Sequence, residues 1–83
     1  PNPFNPVTNL SYDLPEDAMV TIAIYDMMGK VVRTLVNGQQ SAGYKTLQWN
    51  ATNNGGRPIS AGLYIYTIQA GTFNQTRKMI LLK

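Results

Sequence analysis

Val20–Val36 reads VTIAIYDMMGKVVRTLV, and this stretch decides the fold. Val20, Ile22 and Ile24 stand at spacing two, with Met19, Thr21, Ala23 and Tyr25 between them. A period of two belongs to a strand, and a strand apolar on one face and only semi-polar on the other fits the centre of a sandwich. Asp26-Met27-Met28-Gly29 then breaks the pattern. Gly29 supplies a positive-φ position and the Asp26 carboxylate can close the turn, so a short hairpin follows. In the returning strand, strict alternation puts Val32, Thr34 and Val36 on one face and Val31, Arg33 and Leu35 on the other.

Working outward, the same period recurs. Leu10, Tyr12 and Leu14 alternate with Asn9, Ser11 and Asp13, and Pro15-Glu16-Asp17 makes a turn. Asn37-Gly38 opens a polar loop through Gly43, after which Lys45, Leu47 and Trp49 alternate with Tyr44, Thr46 and Gln48. The long loop NATNNGGRPISAG leads to LYIYTIQAG, a turn at Gly71, and a last strand from Phe73. No window combines helical spacing with caps, and turn signals return about every ten residues. The pattern predicts an all-β antiparallel sandwich of six to seven strands, with a small closed barrel as the competing architecture. At the start, Pro1, Pro3 and Pro6 lack backbone donors, so residues 1–6 are expected to be an extended lead-in to a strand beginning near Val7. That lead-in, and the missing initiator methionine, suggest a module with something in front of it.

Eighty-three residues make a single domain over 1–83, with one small core. There is no histidine and no cysteine, which removes triads, Cys–His pairs, disulfides and zinc sites, and no cofactor or metal is expected. The net charge of +3 is scattered, and only Arg77-Lys78 stand together, so no nucleic-acid footprint is formed. The longest apolar run, MILL, is too short to insert in a membrane. The acids are Asp13, Glu16, Asp17 and Asp26, and the adjacent pair Glu16-Asp17 suits turn chemistry better than glycoside hydrolysis. The chain reads as a non-enzyme.

Three features admit functional readings. NATNNGG offers asparagine oxygens to a cation but no carboxylate, and Asn53, Asn54, Gly55 and Gly56 suit left-handed turn positions instead. Tyr64 and Tyr66, with Trp49 nearby, could form a sugar platform; as core rings they would fill the space between sheets, with the Tyr64 hydroxyl tied to upstream backbone as in a sandwich corner. The triplets at Asn9, Asn50 and Asn74 match the glycosylation pattern only weakly. In the tail TRKMILLK, Met79 and Leu81 fall on one face, Ile80 and Leu82 on the other. That is a strand covered on both sides, or an edge that a partner covers.

PNPFNPVTNLSYDLP, VTIAIYDMMGKVVRTLV, WNATNNGGRPISAGLYIYTIQAG and TRKMILLK together resemble the C-terminal sorting domains of the type IX secretion system. A close relative is the immunoglobulin-like domain of the flagellar hook-capping protein, which is similar over Trp49 to Tyr64. The resemblance implies an immunoglobulin-like sandwich at the C-terminus of a larger secreted protein, directing a cargo on its N-terminal side across the outer membrane. It implies the outer-membrane secretion machinery and a sortase-like enzyme as partners, and a location in the medium or on the surface of a Gram-negative cell, reached through the periplasm. Lys78, Met79, Ile80, Leu81, Leu82 and Lys83 match the terminal signal. Pro1, Asn2 and Pro3 match the first motif of the family, and Trp49, Gly62 and Tyr64 its structural middle. One departure stands out: after the tryptophan the family commonly has Asp-Gly with further acids, where this chain has Asn50-Ala51.

The leading expectation is therefore a monomeric export and anchoring module. The alternative is an accessory carbohydrate-binding or spacer module of a polysaccharide-degrading enzyme. A third reading is a scaffold or capping piece, which would associate with itself through an exposed strand edge.

Overall fold

In a computed structural model, which describes residues 8–82, the chain is an antiparallel sandwich without a helix among those residues. Six strands follow one another: β1 Thr8–Leu14, β2 Ala18–Tyr25, β3 Val31–Gln40, β4 Gly43–Trp49, β5 Gly62–Ala70 and β6 Phe73–Leu81. β1 pairs with β4 in one sheet, and the other has the order β3-β2-β5-β6. No strand pairing joins the two sheets, so the architecture is a sandwich and the closed barrel is excluded. The expected lead-in at residues 1–6, and Pro1, Asn2, Pro3, Val7 and Lys83, lie outside the described residues.

Alternation translates directly into burial on four strands. Leu10, Tyr12 and Leu14 are buried on β1 while Asn9, Ser11 and Asp13 are exposed. Val20, Ile22 and Ile24 of the central β2 are fully buried. Trp49 ends β4 in the core, and Tyr64 and Ile68 face inward from β5. Two clusters result, one around Tyr12, Leu14, Val20, Ile22 and Ile68, the other around Ile24, Trp49, Ala51, Tyr64, Met79 and Leu81. Leu35 and Tyr66 pack against both and join them.

β3 departs from strict alternation. Its register against β2 slips twice, between Ile22 and Ala23 and between Ile24 and Tyr25, so Leu35 and Val32 are the extra residues of two bulges. A bulge restores the inward direction after one residue instead of two. Val32, Leu35 and Val36 consequently all pack against the core, although a period of two assigns Leu35 to the opposite face. β3 also runs on through Gln40, because Asn37 to Gln40 pair with Thr21 to Ala18. The polar loop expected from Asn37 to Gly43 thus shrinks to Ser41-Ala42. The β2–β3 turn is closed by Asp26, whose Oδ1 accepts from the Met28 and Lys30 N–H groups at 2.9 Å each, with Gly29 at φ +87°.

The sheets are tied at the end where β1 meets β2 and β3 meets β4. The Tyr12 hydroxyl donates to Gln40 Oε1 across the sandwich, and Asp17 Oδ1 accepts from the Ala42 N–H at 2.8 Å. Burial raises the Tyr12 pKa above its ordinary value of 10.0. The folded state therefore holds the phenol proton more tightly than the unfolded chain. Stability from this group is fully present below about pH 10 and is lost as pH climbs toward the folded pKa, where only the unfolded chain has released the proton. Unfolding monitored from pH 8 to 11.5 is expected to show this alkaline loss, and Tyr12→Phe to flatten it.

Candidate functional site

The side chains singled out by sequence gather at the opposite end, around the loop from Asn50 to Ala61. Trp49 is buried to 1% exposure, and its Nε1–H donates to the Thr52 carbonyl at 2.9 Å. Its ring meets Tyr64 edge-on, with centroids 6.5 Å apart at 79°. The Tyr64 hydroxyl in turn donates to the Ser60 carbonyl at 2.7 Å. Gly62 starts β5 opposite Leu81 at φ +150°, a backbone that L side chains rarely adopt. Trp49, Gly62 and Tyr64 therefore meet at one corner, where they fix both ends of the loop. Tyr64→Phe keeps the ring and removes only the tie, so a loss of about 1 kcal/mol is expected by urea unfolding.

The loop's oxygens are directed at its own backbone. Asn53 Oδ1 accepts from the Gly55 and Arg57 N–H groups at 2.9 and 3.0 Å. Asn54 lies along β3: its N–H donates to the Val32 carbonyl at 3.0 Å, and its Oδ1 accepts from the Thr34 N–H at 2.9 Å. This pair imitates a further strand and covers part of the β3 edge. Arg33 Nη1 donates to Thr52 Oγ1 at 3.0 Å and to the Asn53 carbonyl at 2.8 Å, bracing the loop from β3. Arg33 and the edge role of Asn54 are not visible in the sequence, because their partners are mostly main-chain groups. Within NNGG only Gly56 has positive φ; Asn53 and Asn54 act through side-chain hydrogen bonds instead of left-handed backbone. Among the described residues, no three acids, histidines or cysteines converge as metal ligands.

The tail divides as the pattern indicates. Met79 and Leu81 are buried in the second cluster, whereas Ile80 and Leu82 are 70% and 73% exposed and Lys78 is exposed on the same face. β6 is the edge of its sheet. The sugar-platform reading fails on geometry. Tyr64 is buried with its hydroxyl engaged, Tyr66 packs against the core, and exposed Tyr44 lies on the other sheet, so these rings share no open plane.

Two sheets of two and four antiparallel strands, with a tyrosine corner closing the loop between β4 and β5, define an immunoglobulin-like β-sandwich. The family model of the FlgD Ig-like domain matches residues 4–73, and the chain belongs to that family. Solved structures agree. FlgD from P. aeruginosa is similar with a TM-score of 0.70 and 26% identity, over 90% of this chain and 59% of that one. FlgD from Xanthomonas campestris, described in terms of the hook capping essential for flagellar assembly, gives 0.67 and 23% over 89% and 54%. Truncated FlgD from Helicobacter pylori gives 0.65 and 20% over 92% and 60%. The chain thus spans somewhat over half the length of these structures. No curated protein matches it.

This membership corrects the functional expectation. The family matched is the FlgD Ig-like domain and not a type IX sorting domain. The export-address function falls, and with it the outer-membrane machinery and sortase-like enzyme as partners and the surface or secreted location. The carbohydrate-binding or spacer alternative falls on the same match, as well as on the buried rings. The physical reason is plain in the tail and corner. Met79 and Leu81, within the matched tail, pack in the core with Trp49 and Tyr64, so their spacing is accounted for by the fold.

Proposed function

We propose that the chain is a non-catalytic scaffolding module of a capping-type protein, acting through its surfaces on neighbouring protein subunits. Membership of the FlgD Ig-like family carries this reading. The chemistry of the chain supports it. Histidine and cysteine are absent from the sequence, Asp26 is committed to its turn, and the remaining acids stand at the other end of the sandwich. What the surface offers is apolar side chains, Met19, Phe73, Ile80 and Leu82 among them, which suit protein contacts. The length of the FlgD structures supports a role as one unit, residues 1–83, of a longer polypeptide.

The test is co-sedimentation of the purified chain with flagellar hooks. Saturable pelleting with hooks, lost in an Ile80→Asp/Leu82→Asp variant that still melts cooperatively, supports the reading. A folded chain that stays in the supernatant at every ratio overturns it.

A further inference from the structure

The topology sorts charge along the strands. The β1–β2, β3–β4 and β5–β6 connections share one end of the sandwich, and three of the four acids, Asp13, Glu16 and Asp17, stand there. Of the basic residues in the described part only Lys45 lies near that end. Lys30, Arg33 and Arg57 lie toward the other, and Arg77 and Lys78 sit midway along β6.

The acidic end is also open. A groove of about 480 Å³ runs between the β1–β2 turn and the β5–β6 hairpin, with Leu14, Ile68 and Ala70 beneath it and the half-exposed Met19 and Phe73 beside it. Asp13, Glu16 and Asp17 line it as well. Asp17 is tied to the Ala42 N–H, while Asp13 and Glu16 are exposed. Such a groove complements an apolar side chain with a cation close by. The chain carries that combination toward its other end, where Ile80 near the end of β6 and Leu82 just beyond it are exposed in alternation with buried Met79 and Leu81, as Lys78 is. Buried Met79 and Leu81 fix this segment in place, so no ordering of a free tail is needed to present it.

We propose that the acidic groove receives the β6 end of a second copy, head to tail, with Ile80 and Leu82 over Met19 and Phe73 and with Lys78 facing Asp13 and Glu16. The two surfaces lie on different parts of the molecule, so the contact is heterologous and repeats into a ring or an open chain. The competing isologous contact, antiparallel pairing of two β6 edges, centres on Arg77 and sets Arg77 of one copy directly against Arg77 of the other. Like charges there disfavour it. The inference rests on the scaffold reading only for the use of the assembly, since copies can associate whether or not they bind hooks.

Sedimentation velocity of the full chain tests it, from micromolar to near-millimolar concentration. One variant disables the groove (Asp13→Lys/Glu16→Lys) and another the β6 end (Lys78→Gln/Ile80→Ser), the second without acidic groups that the lysine-bearing groove could attract. All four positions are exposed, and far-UV circular dichroism checks that each variant folds; Asp13→Asn/Glu16→Gln replaces the first if it does not. The expected result is association beyond the dimer for the unaltered chain, weakened about tenfold or more between roughly 0.05 and 0.5 M salt. Each variant alone should be monomeric, and an equimolar mixture should form dimers and nothing larger, because one intact groove meets one intact β6 end. An unaltered chain that stays monomeric at the highest concentration overturns the proposal, as does a single variant that still dimerises, which marks a symmetric contact. Failure to bind hooks leaves these profiles unchanged, so the two readings fail separately.

Discussion

Trp49→Ala is expected to lower the stability of the domain by about 4 kcal/mol, the range observed when a buried aromatic is truncated without repacking. Three features put this site at the costly end. Trp49 is among the largest fully buried side chains, at 1% exposure. Its edge-on contact with Tyr64 is lost with the ring, removing a share of the packing that holds the corner. The Thr52 carbonyl, in a residue only 6% exposed, loses the indole donor and is left with a buried lone pair to satisfy. A domain of this size holds roughly 4–12 kcal/mol in total, so the variant sits near the edge of folding. With a urea m-value of about 1.3 kcal/mol/M, the midpoint should fall by about 3 M. Trp49 is the sole tryptophan, so the transition must be followed by far-UV circular dichroism. Trp49→Phe divides the effect, since it retains most of the ring and removes the donor. A loss near 1–2 kcal/mol for phenylalanine assigns the remainder to packing. A loss equal to that of alanine means the Thr52 bond, and the loop it anchors, dominates.

How far the sequence discloses this molecule depends on whether a signal is carried by one residue's own chemistry or by a partner far along the chain. β1, β2, β4 and β5 are legible because their side chains keep a period of two, and Leu10, Val20, Trp49 and Tyr64 are buried where alternation puts them. β3 is not, because the bulges at Val32 and Leu35 shift the period and nothing in VVRTLV marks them. The corner is half legible. A tyrosine two residues after a glycine signals it, yet Arg33 looks like any solvent-facing cation until Thr52 and the Asn53 carbonyl are placed beside it. Asn54 hides its role for the same reason, since its partners are the backbone of Val32 and Thr34. The groove at the acidic end is invisible in one dimension, because it is made by turns more than fifty residues apart. The tail is ambiguous in one dimension for the same reason. Alternating core positions and flanking lysines look like a signal when no neighbour is in view.

Ala51→Val is expected to cost about 3 kcal/mol, although it adds only two carbons. Ala51 is the one non-glycine residue among those described with positive φ, at 61°. An L side chain in that region costs about 1 kcal/mol even as alanine, and a β-branched one is a steric outlier. Relaxation is blocked on two sides. The side chain is 2% exposed in the cluster with Trp49, Tyr64 and Met79, and the Ala51 carbonyl accepts from the Ile59 N–H at 3.1 Å. Overpacking therefore adds a further 1–3 kcal/mol to the backbone strain. Ala51→Gly supplies the comparison. Relief of about 1 kcal/mol of strain is offset by roughly 0.8 kcal/mol of lost methyl burial and by the greater freedom of glycine in the unfolded chain. Its net effect should be within about 1 kcal/mol of zero, and at 4–8 °C per kcal/mol the valine variant should melt about 12–24 °C below the parent while the glycine variant stays within about 8 °C of it. Equal losses in the two variants would mean that the loop moves to accommodate valine, so that the Asn54 and Arg33 contacts do not hold it. The expected gap between them means the opposite: the loop is pinned from β3, and the left-handed residue after Trp49 is a fixed joint of the sandwich.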